Sequence, residues 1–329
     1  MVPPRTIIVT LFLLALLLVL FTLSLSIGAY RLYSPLDILR VVVGGGSDVD
    51  LAVIELRLWR SIAAISVGVG LAVSGLVIQR LLGNPMADPY ILGISPGAAL
   101  GYLIAVSLGL GLPLWYLLSF LGGLAAYSIV VVLASLAGLT SLALIVVGVS
   151  LSYVFSSASI ILLYLLGPQA GFALSWIFGS VAYVPRSSSL TLALVVLAVL
   201  TVVVAYRGAL TALLLGDETA KALGVRVELL RLALTATIAF TVSVITAAAG
   251  PVGFIGLTAP WIARVAYGAD FSKLLLPTIV IGATLGLGSD VVVRAVGGGR
   301  ELPLTAITAL LGAPVLLYLS IRGRDVGRL

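Results

Sequence analysis

The 329-residue chain has no cysteine and no histidine, only two lysines (Lys221 and Lys273), one asparagine and two glutamines. Without cysteine there are no disulfides, thiolate nucleophiles or Cys/His zinc sites; without histidine there is no axial His ligand for haem and no Ser-His-Asp triad. Ala220 precedes Lys221 and Ser272 precedes Lys273, so neither lysine follows the glycine that a Walker A loop requires. This chain binds no nucleotide by that route. Charge is scarce as well: 18 basic and 12 acidic residues make 9% of the chain, against about a quarter in a soluble domain. So little charge cannot cover a water-facing surface, which excludes a soluble enzyme, a nucleic-acid binder and a disordered hub. The net charge of +6 is read as membrane topology.

Apolar residues fill the space that charge leaves. At 61% of the chain they number about 200, and a spanning helix needs roughly 20, so about ten spans are expected. Apolar runs lie at 7–29, 61–82, 91–109, 113–137, 141–166, 190–206, 229–249, 274–293 and 303–321, with a shorter run broken by Gly and Pro at 252–266. The first run follows Arg5 but is too long for a signal-peptide core, and reads as an uncleaved span. An all-α polytopic membrane protein of one domain, 1–329, is expected.

Orientation comes from the basic residues of the connections. With ten spans and both termini inside, Arg5, Arg80, Arg207, Lys221, Arg226, Arg231, Arg264, Lys273, Arg322, Arg324 and Arg328 lie inside. Arg31, Arg40, Arg57, Arg60, Arg186, Arg294 and Arg300 lie outside. Acids divide evenly, six to a side, so the excess charge is inside. Nine spans would break this pattern. Residues 30–60 read as a long outer loop, and 207–228 as the only sizeable inner one. Within the latter, Gly216-Asp217-Glu218-Thr219 opens a short helix with acids at its positive end, and Gly224 stands where a C-cap would. On residues alone this is an amphipathic connector or a short helix lying on the cytoplasmic face.

Weak internal symmetry accompanies the spans. Arg60 opens a span ending at Gly83-Asn84-Pro85 and followed by an interrupted LGISPG; Arg231 opens another ending at Gly250-Pro251 and followed by IGLTAPW. One enters from outside and the other from inside, the pattern of an inverted repeat. Gly93-Ile94-Ser95-Pro96-Gly97 matches a nucleophile elbow, but without a histidine base it reads as packing. Gly93, Gly97 and Gly101 form a small-residue ridge, as do Gly282 and Gly286. Asn84-Pro85 and Asp88-Pro89 mark a tight inner turn, either a plain loop or a rigid elbow. Arg57, Arg60 and Arg294 sit near outer span ends. They either snorkel to the interface or offer fixed cations to carboxylates of an external partner. Asp290 precedes Arg294 by four residues, a spacing at which it can neutralise it. Hardly any charge is placed near the bilayer midplane, which counts against an ion-coupled secondary transporter. An intramembrane enzyme lacks a nucleophile–base pair.

The run RLWRSIAAISVGVGLAVSGLVIQRLLGNPMADPYILGISPGAALG at 57–101 resembles the opening signature of the FecCD-type permeases. These are membrane subunits of ATP-binding-cassette importers for iron(III)–siderophores, haem and cobalamin. The resemblance continues at GDETAKALGV (216–225), AGPVGFIGLTAPWIA (249–263) and ELPLTAITALLGAP (301–314), and covers essentially the whole chain in order. Pro260-Trp261 stands where the family pattern often has Pro-His.

The resemblance implies ten spans, a fold like that of a cobalamin-importer permease, and residence in the plasma (inner) membrane. It implies that Gly216, Asp217, Glu218, Thr219, Ala220, Leu223 and Gly224 sit in a groove of a cytoplasmic ATPase. It implies that Arg57 and Arg60, with Arg294 as a third, meet acids of an extracytoplasmic substrate-binding protein, and that Thr140 and Ser141 stand at the cytoplasmic gate. Two copies of the chain, two ATPase subunits holding ATP and magnesium, and the binding protein would form the transporter, with no cofactor or metal on this chain. An iron(III)–siderophore heads the substrates it implies, followed by cobalamin, haem and molybdate or tungstate.

Overall fold

A computed structural model describes residues 4–28, 31–167, 170–298 and 300–322; Arg324 and Arg328, counted above as inner charges, lie outside the described residues. Among those residues every regular element is a helix. In chain order these are α1 (Pro4–Ser26), α2 (Pro35–Arg40), α3 (Asp48–Leu81), α4 (Ile94–Ser107), α5 (Leu112–Ser135), α6 (Ser141–Leu166) and α7 (Ala170–Ile177). They continue as α8 (Arg186–Ala205), α9 (Arg207–Ala212), α10 (Asp217–Ala222), α11 (Val227–Ala249), α12 (Ile255–Tyr267), α13 (Phe271–Val296) and α14 (Leu304–Arg322).

Seven of them, α1, α3, α5, α6, α8, α11 and α13, are long and apolar enough to cross a membrane. The apolar α4 and α14 are shorter, and α12 has 13 residues with Pro260 inside it. These ten helices coincide with the ten apolar runs. The expected outer loop at 30–60 differs: it contains α2 and the first turns of α3. The cause is local capping, because Ser34 pairs reciprocally with Asp37 and Ser47 with Asp50 in two capping boxes. The resulting α3 has 34 residues. At about 1.5 Å per residue it reaches well past a hydrocarbon core of about 30 Å. The segment from 170 to 177, where no helix was expected, is α7.

The core is built around α3, of whose most apolar window 89% is buried, against 6% for α1 and 17% for α6. Small residues set the distances. Gly68 of α3 lies against Gly282 and Gly286 of α13, and Gly75 against Gly256 of α12, so closely that a Cβ on either would overlap a backbone carbonyl. Gly97 and Gly101 of α4 press likewise on α5 at Leu118 and Gly122. Ser95 falls in the first turn of α4, so the nucleophile-elbow match is a packing ridge.

The weak repeat takes physical form as a long helix, a break and a short helix, seen in α3–α4 and again in α11–α12. In the first break Asn84 Oδ1 accepts from Met86 N and Asp88 Oδ1 from Tyr90 N, both at 2.9 Å. The two breaks touch: Val252 N donates to the Tyr90 hydroxyl at 3.1 Å, and Gly256 packs on Pro89. The 84–93 turn is thus a rigid elbow, held by its own side chains and by the second half. Ion pairs between distant residues fall into two groups at opposite ends of the bundle, one around Arg60 and one around Arg231.

Candidate functional site

At the Arg60 end, two arginines close the end of α1 and a third binds two carboxylates. Leu25 and Ser26 finish α1, and their carbonyls have no partner further along the helix. Arg57 of α3 supplies one, donating from Nη1 to Leu25 O and Ser26 O at 2.8 Å and from Nη2 to Arg31 O at 2.7 Å, with the Tyr33 ring beneath its guanidinium. Arg294 of α13 donates to Ser24 O at 2.6 Å and Ile27 O at 3.1 Å. Arg60 makes a fork to Glu301 (2.8 and 2.9 Å) and also bonds Asp290 at 2.8 Å. Asp290 is wholly buried, with Arg294 Nη2 2.7 Å from its other oxygen. The i, i+4 neutralisation expected of Asp290 and Arg294 is present, and Arg60 joins it from 230 residues away.

Arg57 and Arg60 are only 4% and 8% exposed, and the Arg294 side chain 6%. All three guanidinium groups are thus engaged within the chain. A helix end near lipid must satisfy its own carbonyls; Arg57 and Arg294 do this for α1, while Arg60 is engaged by the carboxylates of Asp290 and Glu301. Beside them lies an open cleft of about 370 Å³ lined by Glu55, Leu56, Trp59, Arg60, Tyr183 and Arg186, among others. Arg186 is 2.9 Å from Glu55 and stacks over the Trp59 ring at 4.8 Å, with both charged side chains more than half exposed. In α2, the hydrogen bond from the Ser34 backbone holds the Asp37 carboxyl below its ordinary range.

At the Arg231 end, α9 and α10 form a short two-helix arm. Gly216 (φ 90°) and Gly224 (φ 86°) bracket α10 in the left-handed region that favours glycine. After α10, Gly224 N bonds Lys221 O and Val225 N bonds Ala220 O, so Gly224 ends the helix as expected. Most residues assigned to ATPase contact are exposed: Gly216, Asp217, Glu218, Thr219, Leu223 and Gly224. Ala220 is the exception. It is fully buried and seats α10 on the bundle, because on so short a helix one face must pack inward. Asp217 also turns inward with its carboxylate, 2.9 Å from Arg231 Nη2. Lys221 bridges Glu228 at 3.0 Å and Glu218 at 3.4 Å, bonds that hold its ammonium above the ordinary range, Glu228 first.

Thr140 and Ser141 are at this same end. Thr140 caps α6, its hydroxyl accepting from Ala143 N at 3.2 Å, while Ser141 Oγ donates to Leu81 O at 3.3 Å. Arg231, singled out in the sequence only as the start of a span, joins these parts. It donates to Leu81 O and Leu139 O as well as to Asp217. Its partners lie 150 and 92 residues away in sequence, and no local signal could have found them. Among the described residues no group of three or more Asp or Glu could hold a metal ion.

A polytopic bundle with a broken-helix repeat, rigid polar closures at both ends and a short exposed arm at one of them defines a multi-pass membrane permease. The FecCD transport family model matches residues 16–322, and the chain belongs to that family. It is a transport family, not a catalytic one, and its members are multi-pass proteins of the plasma (inner) membrane. The vitamin B12 import system permease BtuC of Vibrio cholerae is 33% identical over 276 residues, 82% of this chain and 83% of the relative. The Fe(3+)-citrate import system permease YfmD of Bacillus subtilis is 31% identical, covering 96% of this chain and 95% of the relative. The hemin transport system permease HmuU of Yersinia pestis is 34% identical over 83% of this chain and 84% of its own. A solved metal-chelate type ABC transporter in an inward-facing conformation superposes with a TM-score of 0.84 at 31% identity, covering 95% of this chain and 99% of that one.

Proposed function

We propose that this chain forms, as two copies, the pathway of a binding-protein-dependent ABC importer for a metal chelate, with an iron(III)–siderophore as the substrate. The observation that carries the reading is α10: a short helix between two left-handed glycines, seated on the end of the bundle with Glu218, Thr219 and Leu223 outward. That end is the cytoplasmic one, with both termini inside, and the whole of 1–329 is one permease domain whose 207–228 arm is the coupling loop. Two ATPase subunits take α10 in a groove and hold ATP and magnesium, which this chain has no loop to bind. The loop before α6, with Thr140 and Ser141, is the cytoplasmic gate. Hydrolysis moves α10 and changes which gate is open.

The Arg60 end faces the binding protein. Arg57, Arg60 and Arg294 act in docking by tying α1, α3 and α13 together under the contact face, and Arg186 at the cleft presents its cation to the partner's carboxylates. The substrate class rests on relatives named for cobalamin, ferric citrate and hemin. A binding screen of the cognate binding protein against ferric siderophores, cobalamin, haem and molybdate tests it. Selective binding of ferric siderophores is expected, and selective binding of any other member overturns the substrate assignment.

Glu218→Lys with Leu223→Glu changes exposed side chains of α10 and its C-cap, at the cost of one exposed pair with Lys221. Co-purification with the cognate ATPase is expected to fall by about tenfold or more, as removal of contact residues at an interface does, with yield of the permease unchanged. Undiminished recovery of the ATPase would sink the coupling assignment. Asp217 is unsuited to this experiment, because its replacement also strips Arg231 of its carboxylate.

A further inference from the structure

The geometry points to Arg231 as the positioning residue that carries movement of α10 to the loop opening α6. The inference rests on the importer reading above.

Four segments meet on one planar cation. Nη2 bonds Asp217 Oδ2 at 2.9 Å, at the first residue of α10. Nε and Nη2 reach Leu81 O, the last residue of α3, at 3.4 and 3.3 Å. Nη1 reaches Leu139 O at 3.4 Å, and the side chain itself rises from the first turns of α11. Leu81 O is shared, because Ser141 Oγ donates to it from α6 at 3.3 Å. A displacement of Asp217 therefore acts on a group that also holds the two carbonyls flanking the α6 start.

The surroundings favour transmission over simple stapling. Leu139 has φ of 53°, a conformation that residues with a side chain seldom adopt, so the loop that Arg231 grips is already constrained. Thr140 then caps α6 and Ser141 ties it to α3. On the other side, α10 lies between Gly216 and Gly224, around which a Cβ would meet nothing, so it can turn as a unit. Its second charged link to the bundle, Lys221 with Glu228, is half exposed on both sides and is a weak strut. The Arg231 side chain is 5% exposed and its fork cannot be copied by a lysine, which offers one point charge in place of planar donors.

The test uses the whole transporter in proteoliposomes: two copies of this chain, its ATPase and its binding protein. The chain has no native cysteine, so Leu142→Cys, an exposed position in the first turn of α6, gives a single maleimide reporter beside the gate. In that background Arg231→Gln and Asp217→Asn are each expected to cut uptake per ATP hydrolysed by about tenfold, a usual size for coupling between sites. In the Arg231→Gln variant ATPase activity stimulated by the binding protein stays within about twofold of wild type, and in both variants maleimide labelling at position 142 no longer changes with nucleotide. The double variant is no worse than either single one, as for two members of one link. Arg231→Lys recovers part of the coupling, and it is judged by the same criteria should the Gln variant fail to assemble. Glu228→Gln leaves uptake within about twofold.

Wild-type vesicles without ATP-dependent uptake overturn the importer reading and the relay together. Active wild-type vesicles overturn the relay alone in either of two cases: uptake and ATPase fall by the same factor in the Arg231 variants, or neither falls.

Discussion

Replacing Asp290 with leucine is expected to lower sharply the yield and thermal midpoint of the chain as a monodisperse membrane protein. Asp290 is wholly buried in α13 and lies 2.8 Å from Arg60 and 2.7 Å from Arg294. Its loss leaves two nearly buried guanidinium groups facing one another, of which Arg60 keeps Glu301 and Arg294 keeps only carbonyls. Breaking a buried pair by removing one partner costs about 3–5 kcal/mol, whereas removing both charges together is often nearly neutral. The Asp290→Leu, Arg294→Met double variant is therefore expected to be more stable than Asp290→Leu alone. The carbonyls of Ser24 and Ile27 left bare by Arg294→Met keep it below wild type. Thermal midpoints in detergent give the comparison, and a double variant that is additive or worse contradicts the ion-cluster account of this end.

The second large effect belongs to Gly75. Any Cβ there overlaps the carbonyl of Gly256 across the α3–α12 contact. A carbonyl on a packed helix cannot rotate aside as a flexible side chain can, so the helices must separate. Overpacking a tight core costs about 1–3 kcal/mol and sometimes more; here the close approach also sets the elbow at Pro89, which packs on Gly256. Gly75→Val should lower the thermal midpoint by many degrees and cut the yield. Gly208→Val is the control, since its Cβ would meet nothing. Equal midpoints for the two variants would mean that α3 and α12 are not held at this distance.

Much of the architecture was legible because apolar runs, small-residue ridges and caps are local signals. The ten runs, the Gly97–Gly101 ridge, the Gly224 cap and the Asp290–Arg294 spacing could all be read from neighbours in sequence. The first turns of α3 were not, because the residues from Asp48 to Arg57 are mixed in polarity and only the Ser47–Asp50 capping box commits them to helix. The direction in which the arginines point was also hidden. Arg57 answers backbone carbonyls at Leu25 and Ser26, and backbone carbonyls carry no residue-type signature. Arg60 meets Glu301 across 241 residues, and Arg231 meets Leu81 and Leu139 from a different half of the chain. Positive charge at a span end told of an interface, but not of whether the charge was free or spent.

The proposal that unites the two ends of the bundle is ATP-driven passage of a chelate through this chain. Purified permease, ATPase and binding protein in sealed vesicles, loaded with radiolabelled ferric siderophore on the side of the Arg60 end, test it directly. Uptake that requires ATP and the binding protein together, and that is indifferent to proton and sodium gradients, is the expected result. Uptake driven by an ion gradient without ATP would contradict it.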